Sequence, residues 1–258
     1  MPIQLKRSLL LALLIAAMPA KAAPSSPTTE AANTLRLIRV PPTVGYTVTR
    51  SDEFSLIGSV VVFGNTPPVR MIESSVSKIE VLSVGQGGMP SSVAVQYSKL
   101  AVTDEGGRPS PEIVGKRYVI APGSKVREGN SLNNLAKRLR FDHRLSYWLA
   151  TQTFVRDQPR SISPAELKTM FSDDRLKFNR GRFAVTWMGS RGSVATFGFE
   201  GSVQMDEQTG HIGLNFSGTV AADVETALVV GTELTVEVVV VGPVAKLTAT
   251  AKLHSQVR

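Results

Sequence analysis

The chain has 258 residues, of which 42% are hydrophobic and 19% charged, with no cysteine, three histidines and a formal net charge of +8. The hydrophobic fraction is too high for a disordered chain, and the length suits one large domain or two small ones. The lack of cysteine excludes a disulfide framework, a thiolate metal site and a cysteine nucleophile.

The first 22 residues have the pattern of a secretory signal peptide. Lys6-Arg7 supplies a positive start, Ser8 to Met18 is an apolar run of 11 residues, and Ala20-Lys21-Ala22 fits a small-x-small cleavage site. A membrane span needs roughly 20 apolar residues, about twice the length of this run. We therefore expect residues 1–22 to be removed, the protein to be exported to the periplasm or the extracellular space, and the mature chain to have no transmembrane span.

Removal of this segment changes the charge balance. It takes away Lys6, Arg7 and Lys21 and no acid, so 26 basic residues then face 21 acidic residues and the net charge becomes +5. A nucleic-acid-binding protein concentrates positive charge more strongly, so we expect no nucleic-acid partner. A mild positive charge suits a solvated exterior, or contact with an anionic envelope surface.

After the signal peptide, a leader precedes a β-rich region. Residues 23–34 are small, polar and proline-containing, which is typical of a flexible leader. Residues 35–127 form the N-terminal β region, in which apolar β-branched runs alternate with Gly- and Pro-rich turns. The runs predict strands at Ser55 to Phe63, Met71 to Val84 and Val93 to Thr103.

The middle segment, residues 128–180, has helical periodicity. Five leucines between Ser131 and Leu149 recur at helical spacing: Leu132, Leu135, Leu139, Leu145 and Leu149. Asp142 interrupts this series where a further apolar residue is expected. A second helix begins after Ser163, because Pro164 suits the first helical position and Glu166 completes a capping box.

Residues 181–258 form a C-terminal antiparallel β region. From Ala195 to Met205 the odd positions are apolar or glycine and the even positions are mostly polar, which predicts a strand covered on one side. Strands of this length twist and coil. The predicted fold is therefore mainly β (α+β): a long-stranded, curved antiparallel sheet, half-barrel or barrel-like, either one sheet or two β-lobes, with one or two central helices. A helix packed across the apolar face makes it a core, and otherwise that face is an open groove.

One hairpin motif carries a resemblance. The segment from Gly201 to Gly210, GSVQMDEQTG, is followed by an alternating strand and Gly218. It resembles a hairpin of uncharacterised secreted bacterial β-meander proteins, in which an aspartate opens the turn and Thr-Gly closes it. The resemblance covers about 20 residues, and Asp and Gly are residues that any tight turn selects. It implies an envelope-associated β protein and transfers no catalytic residue.

The candidate ligand-binding residues lie on the first helix and on the apolar sheet face. Lys137, Arg140 and Arg144 fall on one helical stripe, with Trp148 on its flank, a combination that suits an anionic lipid or a stacked sugar. The alternative is a solvated outer stripe with Trp148 packed on the sheet. Apolar contacts to the ligand are expected from three sheet residues, which are Phe197, Phe199 and Phe216.

Recognised catalytic signatures are absent from the sequence, so we expect no cofactor and no metal site. The three histidines, His143, His211 and His254, lie in unrelated sequence contexts. The leading hypothesis is a non-catalytic exported protein that binds an apolar or amphipathic envelope component. The alternatives are a structural or interaction protein of the envelope, and a hydrolase that uses His143 or His211.

Overall fold

The computed structural model describes residues 33–104, 113–124, 126, 130–171, 177–207 and 210–258. The predicted signal peptide and nearly all of the predicted leader lie outside these residues. The strands are β1 (Thr34–Leu35), β2 (Thr47–Val62), β3 (Pro68–Val84), β4 (Pro90–Asp104), β5 (Arg117–Ile120), β6 (Phe154–Val155), β7 (Pro159–Ser161), β8 (Lys177–Arg191), β9 (Val194–Glu207), β10 (Gly210–Asp223), β11 (Val229–Val241) and β12 (Ala245–Val257). The α-helices are α1 (Asn130–Thr151) and α2 (Pro164–Phe171).

Ten strands form one antiparallel sheet in the order β5-β4-β3-β2-β12-β11-β10-β9-β8-β7, while β1 pairs with β6 alone. The pairing of β12 with β2, from Ala245 opposite Val62 to Val257 opposite Arg50, joins the N-terminal and C-terminal β regions. The mainly β, long-stranded antiparallel fold with two helices is thus confirmed. Because β5 and β7 end the strand order, the sheet formed by the described residues is open rather than a closed barrel, and continuous rather than divided into two lobes.

Eight strands of 13 to 17 residues build most of the sheet. Their side chains alternate between a buried and a wetter face, as the period of two requires. The strands approach closely at Gly218, where φ is +150° and an added Cβ would lie 1.7 Å from the carbonyl oxygen of Glu233. Glycine at this position therefore permits the pairing of β10 with β11.

The two helices pack across one face of the sheet, which we call the inner face. All five predicted leucines of α1 are buried. The capping box at the start of α2 is also confirmed, because Ser163 Oγ accepts a hydrogen bond from the backbone N–H of Glu166 and the Glu166 carboxylate accepts one from the backbone N–H of Ser163. The inner face is therefore covered by helices. The sequence alone had left both a covered face and an open groove as alternatives.

Candidate functional site: a polar belt beneath helix α1

Polar side chains interrupt the apolar inner face of the sheet. One row of residues in register crosses four neighbouring strands: Ser75 on β3, Asp52 on β2, Ser255 on β12 and Thr232 on β11. Ser77 and Arg50 form the row on one side of it, and Glu73 lies two residues from Ser75 on the other side. All seven side chains are at most 5% exposed. We call them the polar belt.

Helix α1 places a matching set of polar side chains over the belt. Ser131, Asn134, Arg138 and Asp142 recur at intervals of three or four residues, so they share one face of the helix. Each is buried, with between 5% and 9% exposure. These four residues are the polar stripe of α1, and the interface between stripe and belt is composed of charged and hydrogen-bonding groups.

Arg50 joins the belt to the stripe. Its Nε donates hydrogen bonds to both carboxylate oxygens of Asp52, at 2.9 and 3.1 Å, and its Nη1 donates to Oδ2 of Asp142 on the helix. Arg138 on the helix forms ion pairs with the belt, with Nη1 at 3.4 Å from Asp52 Oδ2 and Nη2 at 3.8 Å from Glu73 Oε1. Ser131 also donates to Glu73 from the helix, across 3.3 Å.

The pKa values of the two belt carboxylates shift in opposite directions. Burial alone would raise the pKa of Asp52, but Arg138 and Arg50 outweigh this effect and its pKa lies below the usual value. Burial raises the pKa of Glu73, and Arg138 offsets the rise only in part. The two guanidinium groups thus stabilise the charged form of Asp52, whereas burial disfavours the charged form of Glu73.

Eight buried side-chain atoms have no hydrogen-bond partner among the described residues, and all eight belong to the belt or the stripe. They are Arg50 Nη2, Glu73 Oε1, Ser75 Oγ, Ser77 Oγ, Asn134 Oδ1, Arg138 Nε, Asp142 Oδ1 and Thr232 Oγ1. A buried polar atom without a partner costs about 1–3 kcal/mol, so their concentration at one place marks a site. Donors and acceptors are both present, which suits a polar group that can do both.

Apolar clusters flank the belt on both sides. The larger cluster contains the C-terminal half of α1, with Leu145 and Leu149, and side chains of β8 to β12. The smaller cluster contains the N-terminal half of α1, with Leu132 and Leu135, and side chains of β3 and β4 such as Val95. The site as a whole is amphipathic: a polar centre lies between two apolar regions under one helix.

The four aromatic residues predicted to contact a ligand lie in the larger cluster. Phe197, Phe199 and Phe216 are at most 4% exposed on the inner face. Trp148 is equally buried, stacks edge-on against Phe154 with a centroid distance of 6.0 Å, and donates from Nε1 to a Glu166 carboxylate oxygen. These side chains line the apolar part of the site and tie α1 to α2.

The three basic residues predicted for the site are half-buried on α1 and lie away from the polar stripe. Arg144 donates from Nη1 to the carbonyl oxygen of Met170 at the end of α2, across 3.2 Å. The side chain of Arg140 packs against Gly123, where an added Cβ would lie 2.3 Å from the Arg140 Cδ. Lys137 is half-buried on the same helix. A ligand contact by these three residues stays a prediction.

The histidines predicted for the hydrolase alternative occupy separate places. His143 is half-buried on α1, and burial lowers its pKa to about 4 despite the neighbouring Asp142. His211 lies exposed on β10, with Nδ1 2.7 Å from Asp206 Oδ1. Within the described residues neither ring is hydrogen-bonded to a serine, and no group of three or more His, Asp or Glu is arranged to hold a metal ion.

Sequence reasoning missed the belt, although one signal of it was present. Asp142 interrupts the leucine series of α1, and Arg50 and Asp52 continue the buried phase of Phe54 and Leu56 along β2. Charged residues in the phase of a buried face indicate a buried polar cluster. Their partners, however, lie on a helix far along the chain.

Comparison with known proteins yields little. No family model matches the chain, and no curated protein matches it. A solved structure titled "Lipid-protein interactions in lipovitellin" is similar over 84% of this chain and 26% of that chain, with 10% identity and a TM-score of 0.33. This chain thus spans about a quarter of the lipovitellin chain, and a likeness at this TM-score carries no argument. No helix of the described residues is long and apolar enough to cross a membrane.

Proposed function

We propose that this protein binds an amphipathic, lipid-like molecule of the cell envelope on the inner face of its sheet. The observation that carries the proposal is the concentration of eight unpartnered polar atoms beneath α1. The polar group of the ligand binds at the five of these atoms that belong to the belt, which become accessible when α1 moves away. Its apolar part lies along the buried aromatic and aliphatic side chains of the larger cluster.

Entry of the ligand requires α1 to move away from the belt, because α1 covers the inner face. The composition of the interface makes this movement less costly than the separation of an apolar surface. Separating apolar surfaces exposes them to water at about 25 cal/mol per Å². Separating the belt from the stripe rehydrates Arg50, Asp52, Arg138 and Asp142, so the desolvation penalty of these charges is recovered. The movement also exposes the buried leucines of α1, so the polar interface lowers the cost of opening only for the part of the helix that lies over the belt.

The first test is direct detection of a ligand. The full chain is purified in native conditions, and its mass is measured before and after lipid extraction. Binding is then titrated with cis-parinaric acid, whose fluorescence rises when its apolar chain leaves water and whose carboxylate serves as the polar group. We expect saturable binding of this probe. No extracted amphiphile, together with no saturable fluorescence, would overturn the proposal.

The second test separates binding from stability. One variant replaces the five charged residues of belt and stripe by apolar residues of similar size: Arg50→Met, Asp52→Leu, Glu73→Leu, Arg138→Met and Asp142→Leu. Replacement of a complete buried ionic cluster in this way is neutral or stabilising by about 1–4 kcal/mol in other proteins. We therefore expect a folded variant with at least tenfold weaker probe binding. Unchanged affinity would contradict the assignment of the belt.

Two further variants keep this test decisive. Thr232→Val removes one fully buried, unpartnered hydroxyl without a change of shape, so we expect it to stabilise the fold and to weaken the binding of the probe. The matched control is Arg117→Met with Glu80→Leu, which removes an ion pair of 2.9 Å whose side chains are 54% and 38% exposed. This control should bind the probe like the unaltered protein.

A further inference from the structure

Two hairpin turns lie side by side at one end of the sheet. Ala245, the first residue of β12, pairs with Val62, the last residue of β2. Phe63 directly follows Val62 in the β2–β3 turn, and Val244 directly precedes Ala245 in the β11–β12 turn. The two turn residues are therefore neighbours, and we call this region the hairpin end.

Apolar side chains are exposed at the hairpin end. Phe63 is 83% exposed, and Val244 is 49% exposed. On the outer face of the sheet, the adjoining row contains Val61 and Val241, which are 44% and 42% exposed. An exposed aromatic tip together with three exposed valines is unlike the scattered single apolar residues of an ordinary surface.

Phenylalanine is not a residue that the backbone conformation of the β2–β3 turn favours at position 63. Val62 and Asn65 exchange backbone hydrogen bonds of 2.9 and 3.0 Å, and the two residues between them have φ values of +48° for Phe63 and +81° for Gly64. A two-residue hairpin turn of this kind prefers Asn or Asp followed by Gly. Phenylalanine here neither suits the turn nor packs in the core, so contact with something outside the chain accounts for it best.

The charges of the hairpin end identify the kind of partner. Lys246 pairs with both Val61 and Val241, so an exposed cation stands between the two exposed valines. Arg70 pairs with Ile57, another exposed apolar residue of β2, but it lies about 17 Å along the strand from the hairpin end. Along the row of Lys246, the nearest described acid on the β10 side is Asp206, two strands beyond Val241, and its carboxylate is engaged by His211 and Asn179.

We infer that the hairpin end docks on an anionic phospholipid bilayer. Phe63 and Val244 enter the interfacial layer of the bilayer, where apolar and aromatic side chains are favoured. Lys246 contacts the lipid phosphates, as juxtamembrane cations do. This docking involves the outer face and the turns, so it can be tested independently of ligand binding beneath α1.

The test uses the lack of cysteine in the chain. Val244→Cys in the full chain gives a single attachment point for the environment-sensitive fluorophore NBD, and Phe63 is retained. Vesicles of phosphatidylglycerol and phosphatidylcholine are then added, and vesicles of phosphatidylcholine alone serve for comparison. We expect a blue shift and an increase in emission with the anionic vesicles. The local readout reports docking of this end, whatever the first 32 residues do.

Variants and a control site complete the test. Phe63→Ser in the labelled chain should weaken vesicle binding about tenfold, because each 1.4 kcal/mol lost from aromatic burial is one factor of ten. Lys246→Gln should weaken binding to the anionic vesicles alone. The control carries NBD at Val44→Cys, which is 66% exposed before the start of β2, at the opposite end. Its emission should not change.

Three outcomes would overturn the inference. The first is no emission change at position 244 with either kind of vesicle. The second is an equal change at positions 44 and 244, since this places no particular end against the bilayer. The third is a change that depends on protein concentration without vesicles, because the hairpin end would then bind a second copy of the chain.

Discussion

The ion pair between Arg50 and Asp142 gives the sharpest test of the buried interface. The proposed change is Asp142→Leu, which removes the carboxylate that accepts a hydrogen bond from Arg50 Nη1. Both side chains are at most 12% exposed, and loss of one partner of a buried pair costs about 3–5 kcal/mol. Asp52 still neutralises Arg50 at 2.9 Å. We therefore expect the lower end of that range, about 3 kcal/mol.

The assay is urea unfolding of the unaltered protein, Asp142→Leu, Arg50→Met and the double variant, with a requirement that the m-value stays constant. The double variant should recover most of the loss, because Asp52 keeps Arg138, at 3.4 Å, as its partner. The same cycle on the exposed pair of Arg117 and Glu80 should give a coupling energy of about 0.2–1 kcal/mol. A coupling energy for Arg50 and Asp142 no larger than that of the exposed pair would show that burial does not strengthen this ion pair.

Three further predictions concern pH and packing. Burial raises the pKa of Glu73 above 4.5, so the contribution of this side chain to stability is full below pH 4.5 and is lost as the pH rises through the pKa of the folded protein. In urea titrations, Glu73→Gln should therefore be more stable than the unaltered protein at pH 7.5, and the difference should shrink towards pH 4. Burial lowers the pKa of His143 from 6.5 to about 4, so the stability that the neutral ring contributes above pH 6.5 is lost as the pH falls towards 4, by at most about 3 kcal/mol. Calorimetry of the unaltered protein and of His143→Gln at pH 7 and pH 4 should show a smaller loss of stability in the variant. An equal loss in both proteins would contradict this role of His143. Gly218→Ala would place a Cβ 1.7 Å from the carbonyl oxygen of Glu233, so we expect it to destabilise the protein by about 3 kcal/mol or more. The control is Gly213→Ala, where the nearest atom to an added Cβ is 3.9 Å away; this variant should melt within a few degrees of the unaltered protein.

The sheet and helices follow from periodicities that local sequence carries. The alternation from Ala195 to Met205 predicts β9 because a strand covered on one face needs a period of two, and the strand extends from Val194 to Glu207. The leucine spacing predicts α1, and the capping residues predict the start of α2. These features depend on neighbouring residues, so a single sequence contains them.

The polar belt depends on contacts that local sequence does not contain. Arg50 and Asp142 are 92 residues apart, and the row through Ser75, Asp52, Ser255 and Thr232 exists only once four strands are in register. Arg50 and Asp52 precede the predicted strand, which starts at Ser55, whereas β2 begins at Thr47, so the sequence pattern assigned them to neither face of the sheet. Whether a helix covers the inner face is likewise a question of chain topology.

Amide hydrogen exchange of α1 distinguishes a ligand bound beneath this helix from one bound elsewhere. Amide exchange of residues 130–151 is measured by mass spectrometry in the full chain, with and without saturating cis-parinaric acid. We predict that the probe speeds exchange in α1, because the helix leaves the sheet, and slows it in β2 and β12 around the belt. Unchanged exchange in both regions with the probe bound would show that the ligand does not bind beneath α1.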